Sequence, residues 1–226
     1  MSGTPTLARP RVSAAALLLG LLALALNLRA ALAGYPPLLE GVRSALGFSA
    51  GAAGLVQTGA VLMMAAGPFA GSAVGSRFGR ERALVAAVGL VALGSALRGI
   101  AALGPLVAGS LVVGFGIGVA GVLLTGVVKE HLASRAGAVT GGYVVAMAVG
   151  STLSSALAVP LAVVLGGWSL SLAAWAVPAA IAAAAWAGIV RRLPRAAEAE
   201  PRAALPWRDG FARLAAVHQA AASLLV

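Results

Sequence analysis

The sequence predicts an all-α membrane protein, six transmembrane helices followed by the truncated opening of a seventh. Three observations predict it. Of 226 residues, 61% are hydrophobic and only 10% charged, and the mean hydropathy is +1.00, more apolar material than a water-soluble domain of this size could enclose. Apolar runs recur at about 20 residues or longer, the length a helix needs to cross about 30 Å of hydrocarbon. The charges fall in short clusters between those runs, the placement that sets membrane topology.

Each element follows from that pattern. Residues 1–11 form a cytoplasmic N-terminus carrying Arg9 and Arg11. The run from Val12 has the layout of a signal peptide, with Ala31-Leu32-Ala33 placed like a cleavage site, but the apolar runs behind it make it the first span, about 12–36. Pro36-Pro37 bends the exit, and Glu40 and Arg43 mark a short loop. Ser49 offers an N-cap to a second span, about 49–74, where Gly67, Gly71, Gly75 and Gly79 recur every four residues as a ridge that lets another helix approach closely. A basic turn with Arg77, Arg80 and Arg82 leads to a third span, about 83–103, with Arg98 near its far end. Gly104-Pro105 turns the chain into a fourth span, about 106–128, closed by Lys129-Glu130-His131 and Arg135. The uncharged tract from Ala136 to Val190 is too long for one helix, and Gly166-Gly167-Trp168 divides it into spans at about 137–164 and 168–190.

Residues 12–190 are thus a six-helix unit, residues 191–213 a cytoplasmic linker opened by Arg191, Arg192 and Arg195, and residues 214–226 the start of a seventh span. Lys and Arg crowd the N-terminus, the even-numbered loops and the tail, which places the N-terminus in the cytoplasm. The expected location is the cell (plasma or inner) membrane, multi-pass.

Composition also narrows the chemistry. The net charge of +10 lies in topological clusters and not along one aromatic-interleaved face, so no nucleic acid partner is expected. There is no cysteine, and His131 and His218 lie far apart among six scattered carboxylates, so no disulfide, redox centre, metal site or cofactor is expected, and the chain does not read as an enzyme. Gly116-x-Gly118-x-x-Gly121 matches a dinucleotide fingerprint by letter. It follows no strand and has no acidic residue about 20 positions on, so tight helix packing explains it better.

The anomaly of the first span is Asn27-Leu28-Arg29. An ionised group in hydrocarbon costs about 2.5–3.5 kcal/mol on insertion scales, so it persists where it faces water, a partner or a ligand. Arg29 sits roughly 25 Å along a core of about 30 Å, so it either reaches the outer headgroups or lines a site. Arg98, nearer a loop, reads as an interface residue.

The segment Ser72-Ala73-Val74-Gly75-Ser76-Arg77-Phe78-Gly79-Arg80-Glu81-Arg82 resembles the loop between helices two and three of the major facilitator superfamily, Gly-x-Leu-Ala-Asp-Arg-x-Gly-Arg-Arg-Arg. Arg77, Gly79, Arg80 and Arg82 fall on matching positions, while Ser72 and Ser76 replace the Gly and Asp. Further stretches look like the cyanate permease-like (CynX/NimT) branch: Asn27-Leu28-Arg29 with Pro37-Leu38-Leu39 and Arg43; Val122-Leu123-Leu124, Val128-Lys129 and His131; Thr140-Gly141-Gly142-Tyr143; Ala158-Val159-Pro160 with Gly166-Gly167-Trp168; and Trp207-Arg208 with Ser223-Leu224-Leu225. The branch usually has Pro where this chain has Ala30, and often Asn and Pro where it has Gly121 and Thr125. Those departures bear on substrate more than on fold.

The resemblance implies the N-terminal half of such a transporter, with spans one, two, four and five lining a central cavity and three and six outside. Its candidate substrate residues are then Arg29, Asn27, Gln57, Thr58 and Tyr143, and Arg77, Gly79, Arg80 and Arg82 would gate the conformational change. Arg29 offers a fixed planar fork suited to a small anion. Asn27 is about 200° round the helix from Arg29, so both cannot face one ligand squarely. The implied function is secondary active transport of a small anion or polar organic solute, cyanate-like, by alternating access. Its implied partners are the lipid bilayer, the solute, a coupling proton and a second six-helix half, without which the Gly67 to Gly79 ridge is expected to face lipid. The alternatives are a truncated or frameshifted fragment without transport activity, and proton-coupled efflux of a drug or metabolite.

Overall fold

The computed structural model describes residues 13–193. Arg9, Arg11, most of the expected linker, His218, and the expected seventh span with Trp207, Arg208 and Ser223 to Leu225 lie outside the described residues.

Helix α1 (Ala14–Ala33) starts at Ser13, whose Oγ accepts from the Ala16 N–H at 3.2 Å. After Gly34 alone the chain re-enters helix as α2 (Tyr35–Leu46). Here the structure departs from the sequence expectation of a loop. Pro36 and Pro37 fall in the first turn of α2, where a helix has no use for their missing N–H, so they redirect the pass and do not end it. Glu40 and Arg43 form an ion pair of 2.6 Å on the exposed side of that helix. Gly47, left-handed at φ 68°, ends it.

Helix α3 (Ala50–Phe78) is capped by Ser49, which accepts from the Ala52 N–H at 3.2 Å. It runs past the expected boundary to Phe78 and stops at Gly79, whose φ of 87° few L side chains adopt. Helix α4 (Arg80–Leu97) begins at the next residue. Helix α5 (Leu103–His131) includes Glu130 and His131 in its last turn. A 3-10 turn, Ala133–Arg135, leads to α6 (Ala136–Leu165), which Gly166 closes at φ 85°. The last pass comprises α7 (Trp168–Ala174) and α8 (Ala176–Arg192). Its break follows from Pro178, which has no N–H to offer the Ala174 carbonyl.

Among the described residues these are six helical passes, five of them long and apolar enough to cross a membrane. The exception is α4, of 18 residues, whose first turn holds Arg80, Glu81 and Arg82.

Helix α5 packs on α3 and on α4; α1 packs on α6 and on α8; and α4 also meets α8. Backbone approach rests on glycine. A Cβ on Gly118 would fall onto the Met64 carbonyl, and one on Gly67 would lie 2.6 Å from the Val119 nitrogen. Pro68 denies the Met64 carbonyl its helical partner, which leaves that oxygen turned to the α5 backbone.

The glycine ridge therefore does not face lipid. Cβ atoms on Gly71 and Gly75 would lie 2.7 Å from Val122 and 2.6 Å from Leu123, so α5 of the same six-helix unit covers the ridge. Only Gly79 leaves it, to make the turn. Gly116 and Gly118 of the apparent dinucleotide fingerprint face α4 and α3 in turn, and Gly121 faces open space.

Candidate functional site

Arg29 is exposed on α1. Among the described residues it makes no hydrogen bond or ion pair. Asn27 faces the other way and is 6% exposed. Its Nδ2 donates to the Ala23 carbonyl at 2.8 Å, and its Oδ1 has no partner. The structure thus separates the two polar residues of Asn27-Leu28-Arg29, as their angular offset requires.

On α3, Thr58 is exposed and donates its hydroxyl to the Gly54 carbonyl at 3.1 Å, while Gln57 is half-buried. Helices α1 and α3 are not packing neighbours, so these residues are not brought against Arg29. Tyr143 on α6 is half-buried against the main apolar core. Its neighbour Gly142 approaches Leu22, seven residues before Arg29 and about 10 Å along the helix.

The end of the unit that carries the basic turn is tied differently. Arg77 lies over the ring of Phe78, 5.5 Å from its centroid. Arg80 donates to Glu130 at 3.1 Å, its stem passing over Gly126, where a Cβ would come within 2.8 Å of Arg80 Cδ. Glu81 meets His131 at 2.7 Å, and the Glu81 backbone carbonyl accepts from the Trp186 indole at 3.2 Å. Arg82 is exposed. The scattered carboxylates of the sequence are therefore partly gathered: ligand atoms of Glu81, Glu130 and His131 lie within 4.8 Å of one another. Residue spacing gives no sign of it, because Glu81 stands fifty positions from His131.

The expectation for Arg98 is corrected as well. Far from reaching an interface, it is 1% exposed, capping α4 with its guanidinium turned inward. Its Nη2 donates to the Ala31 carbonyl at 2.7 Å and to Ser95 Oγ at 3.1 Å. Two α6 hydroxyls meet the same end of α1: Ser154 donates to the Ala30 carbonyl at 2.7 Å and Ser155 to the Ala33 carbonyl at 3.0 Å.

Comparison with known proteins agrees with this architecture. Residues 13–225 match the model of the Major Facilitator Superfamily. The 2-nitroimidazole transporter of Escherichia coli (strain K12) is 35% identical over 156 residues, 69% of this chain and 40% of that protein. The cyanate transport protein CynX of the same organism is 31% identical over 171 residues, 75% of this chain and 44% of that protein. An uncharacterized transporter of Bacillus subtilis (strain 168), YycB, is 29% identical over 171 residues, 75% of this chain and 42% of that protein. The chain spans about two fifths of the length of these curated relatives. This multi-pass membrane chain belongs to the Major Facilitator Superfamily, a family of transporters and not of enzymes, and within it to the cyanate and nitroimidazole branch.

Proposed function

We infer that the chain supplies the N-terminal six-helix half of a secondary active transporter for a small anion or a small planar polar solute. The observation that carries this reading is Arg29: a guanidinium within the first membrane pass, exposed, and without an acceptor among the described residues. A charge in that position is costly unless water or a ligand meets it. The two named solutes of the relatives, cyanate and 2-nitroimidazole, share what a guanidinium recognises. One is a small anion; the other carries a nitro group whose paired oxygens match a planar two-donor fork.

Transport in this reading is alternating access, the six-helix unit rocking against a second one with the solute held between them. Arg29 is the wall contributed by α1. The basic turn with Arg77, Gly79, Arg80 and Arg82, tied through Arg80 to α5, gates that change, with the basic end of the unit in the cytoplasm. Uptake of radiolabelled cyanate and 2-nitroimidazole into proteoliposomes tests the proposal, with the chain reconstituted alone and together with a complementary six-helix half. Saturable uptake of either solute supports it, and uptake no faster than through protein-free vesicles in both preparations refutes it.

A further inference from the structure

The carbonyls that close α1 are served from outside their own helix. In the last turn of a helix the carbonyls lose their regular partners, and for Leu32 and Ala33 the residues four positions on are Pro36 and Pro37, which carry no N–H. The Ser155 hydroxyl takes the Ala33 carbonyl, the Ser154 hydroxyl takes that of Ala30, and the Arg98 guanidinium takes that of Ala31. Two helices, α4 and α6, therefore grip three carbonyls of one turn.

Arg98 is an expensive group for that task. It is fully buried, no carboxylate among the described residues pairs with it, and its Nε has no acceptor. The fold nonetheless makes room for it. A Cβ on Gly109 of α5 would come within 2.8 Å of Arg98 Cγ, so the glycine is what lets the stem lie flat between α4 and α5 and reach α1. Arg29 sits in the turn so gripped, immediately before Ala30 and Ala31, and is exposed.

We propose that Arg98 is a positioning residue: with Ser154 and Ser155 it clamps the broken end of α1 and thereby fixes the depth and direction of the Arg29 fork. Resting on the reading of Arg29 as the solute contact, it adds that solute affinity depends on a guanidinium the solute never touches. The clamp decides where the end of α1, just before Gly34, stands.

The chain has no native cysteine, so one introduced thiol reports cleanly. The test is the rate at which a water-borne methanethiosulfonate modifies Arg29→Cys in detergent, with native Arg98, Arg98→Ala or Arg98→Lys. Ser134→Cys, exposed in the 3-10 turn far from the clamp, reports overall integrity. The expected result is a several-fold change in the Arg29→Cys labelling rate on adding Arg98→Ala, partial return with Arg98→Lys, and no change in the Ser134→Cys rate. Equal Arg29→Cys rates with native Arg98 and with Arg98→Ala overturn the proposal. If Arg98→Ala does not yield a monodisperse protein, Ser155→Ala loosens the same clamp from α6, and an unchanged Arg29→Cys rate there overturns it equally. Because labelling needs no transport, a shifted Arg29→Cys rate with no uptake by any form leaves the clamp standing and removes the transport reading. In the transport arm, with Arg29 intact, Arg98→Ala is expected to raise the half-saturating cyanate concentration more than it lowers the maximal rate.

Discussion

The Arg80 guanidinium meets the Glu130 carboxylate at 3.1 Å, and one residue further along each helix Glu81 meets His131 at 2.7 Å, so the first turn of α4 is pinned twice to the last turn of α5. Arg80 and Glu130 are each about two fifths exposed, at 41% and 40%. Exposed pairs contribute about 0.2–1 kcal/mol. A double-mutant cycle of Arg80→Ala and Glu130→Ala, read by thermal unfolding in detergent, is expected to give coupling in that range, shrinking as salt is added. Coupling that stays constant with salt would contradict an exposed pair.

Gly118 and Gly121 belong to one apparent fingerprint but stand in opposite surroundings. Gly118 touches the α3 backbone, whereas nothing lies within 4 Å of a Cβ on Gly121. Gly118→Ala is expected to cost about 1–3 kcal/mol through overpacking. Gly121→Ala is expected to be neutral or to stabilise by up to about 1 kcal/mol, because alanine is the better helix former. Thermal unfolding of the two variants decides it, and equal effects would remove the packing explanation.

Trp186 is wholly buried and also holds the first turn of α4, through its indole N–H and the Glu81 carbonyl. Trp186→Phe keeps most of the ring and loses the hydrogen bond, an expected loss of about 0.5–1.5 kcal/mol. Trp186→Ala empties a site walled by Gly20 of α1 and is expected to cost about 3–5 kcal/mol. Unfolding midpoints that fall by the same amount in both variants would mean that the ring volume contributes little.

Much of this fold can be read from hydropathy because a membrane imposes a length on each apolar run and a charge bias on each loop. The Gly166-Gly167 division is marked by residue type alone, whereas Gly79 reads as one more member of the ridge and instead makes the turn. What periodicity does not specify is which helix meets which. The Gly67 to Gly75 ridge announces a close neighbour without naming α5, and Glu81 and His131 carry no mutual signal across fifty positions. Arg98 is illegible for the same reason: closeness to a loop suggests an interface, while the inward turn of its side chain depends on Gly109 and on the Ala31 carbonyl it reaches. The helix after Pro36-Pro37 is hidden because prolines read as a bend, although in a first turn they are compatible with helix.

Arg29 bears the central claim, and its replacement tests it most directly. Hydrogen bonds to a charged group contribute about 1.5–3 kcal/mol, so Arg29→Ala is expected to lower cyanate uptake per reconstituted protein by roughly 10- to 150-fold. Arg29→Lys, which keeps the charge but not the fork, is expected to fall between native and Ala. Uptake by Arg29→Ala equal to that of the native protein would contradict the account.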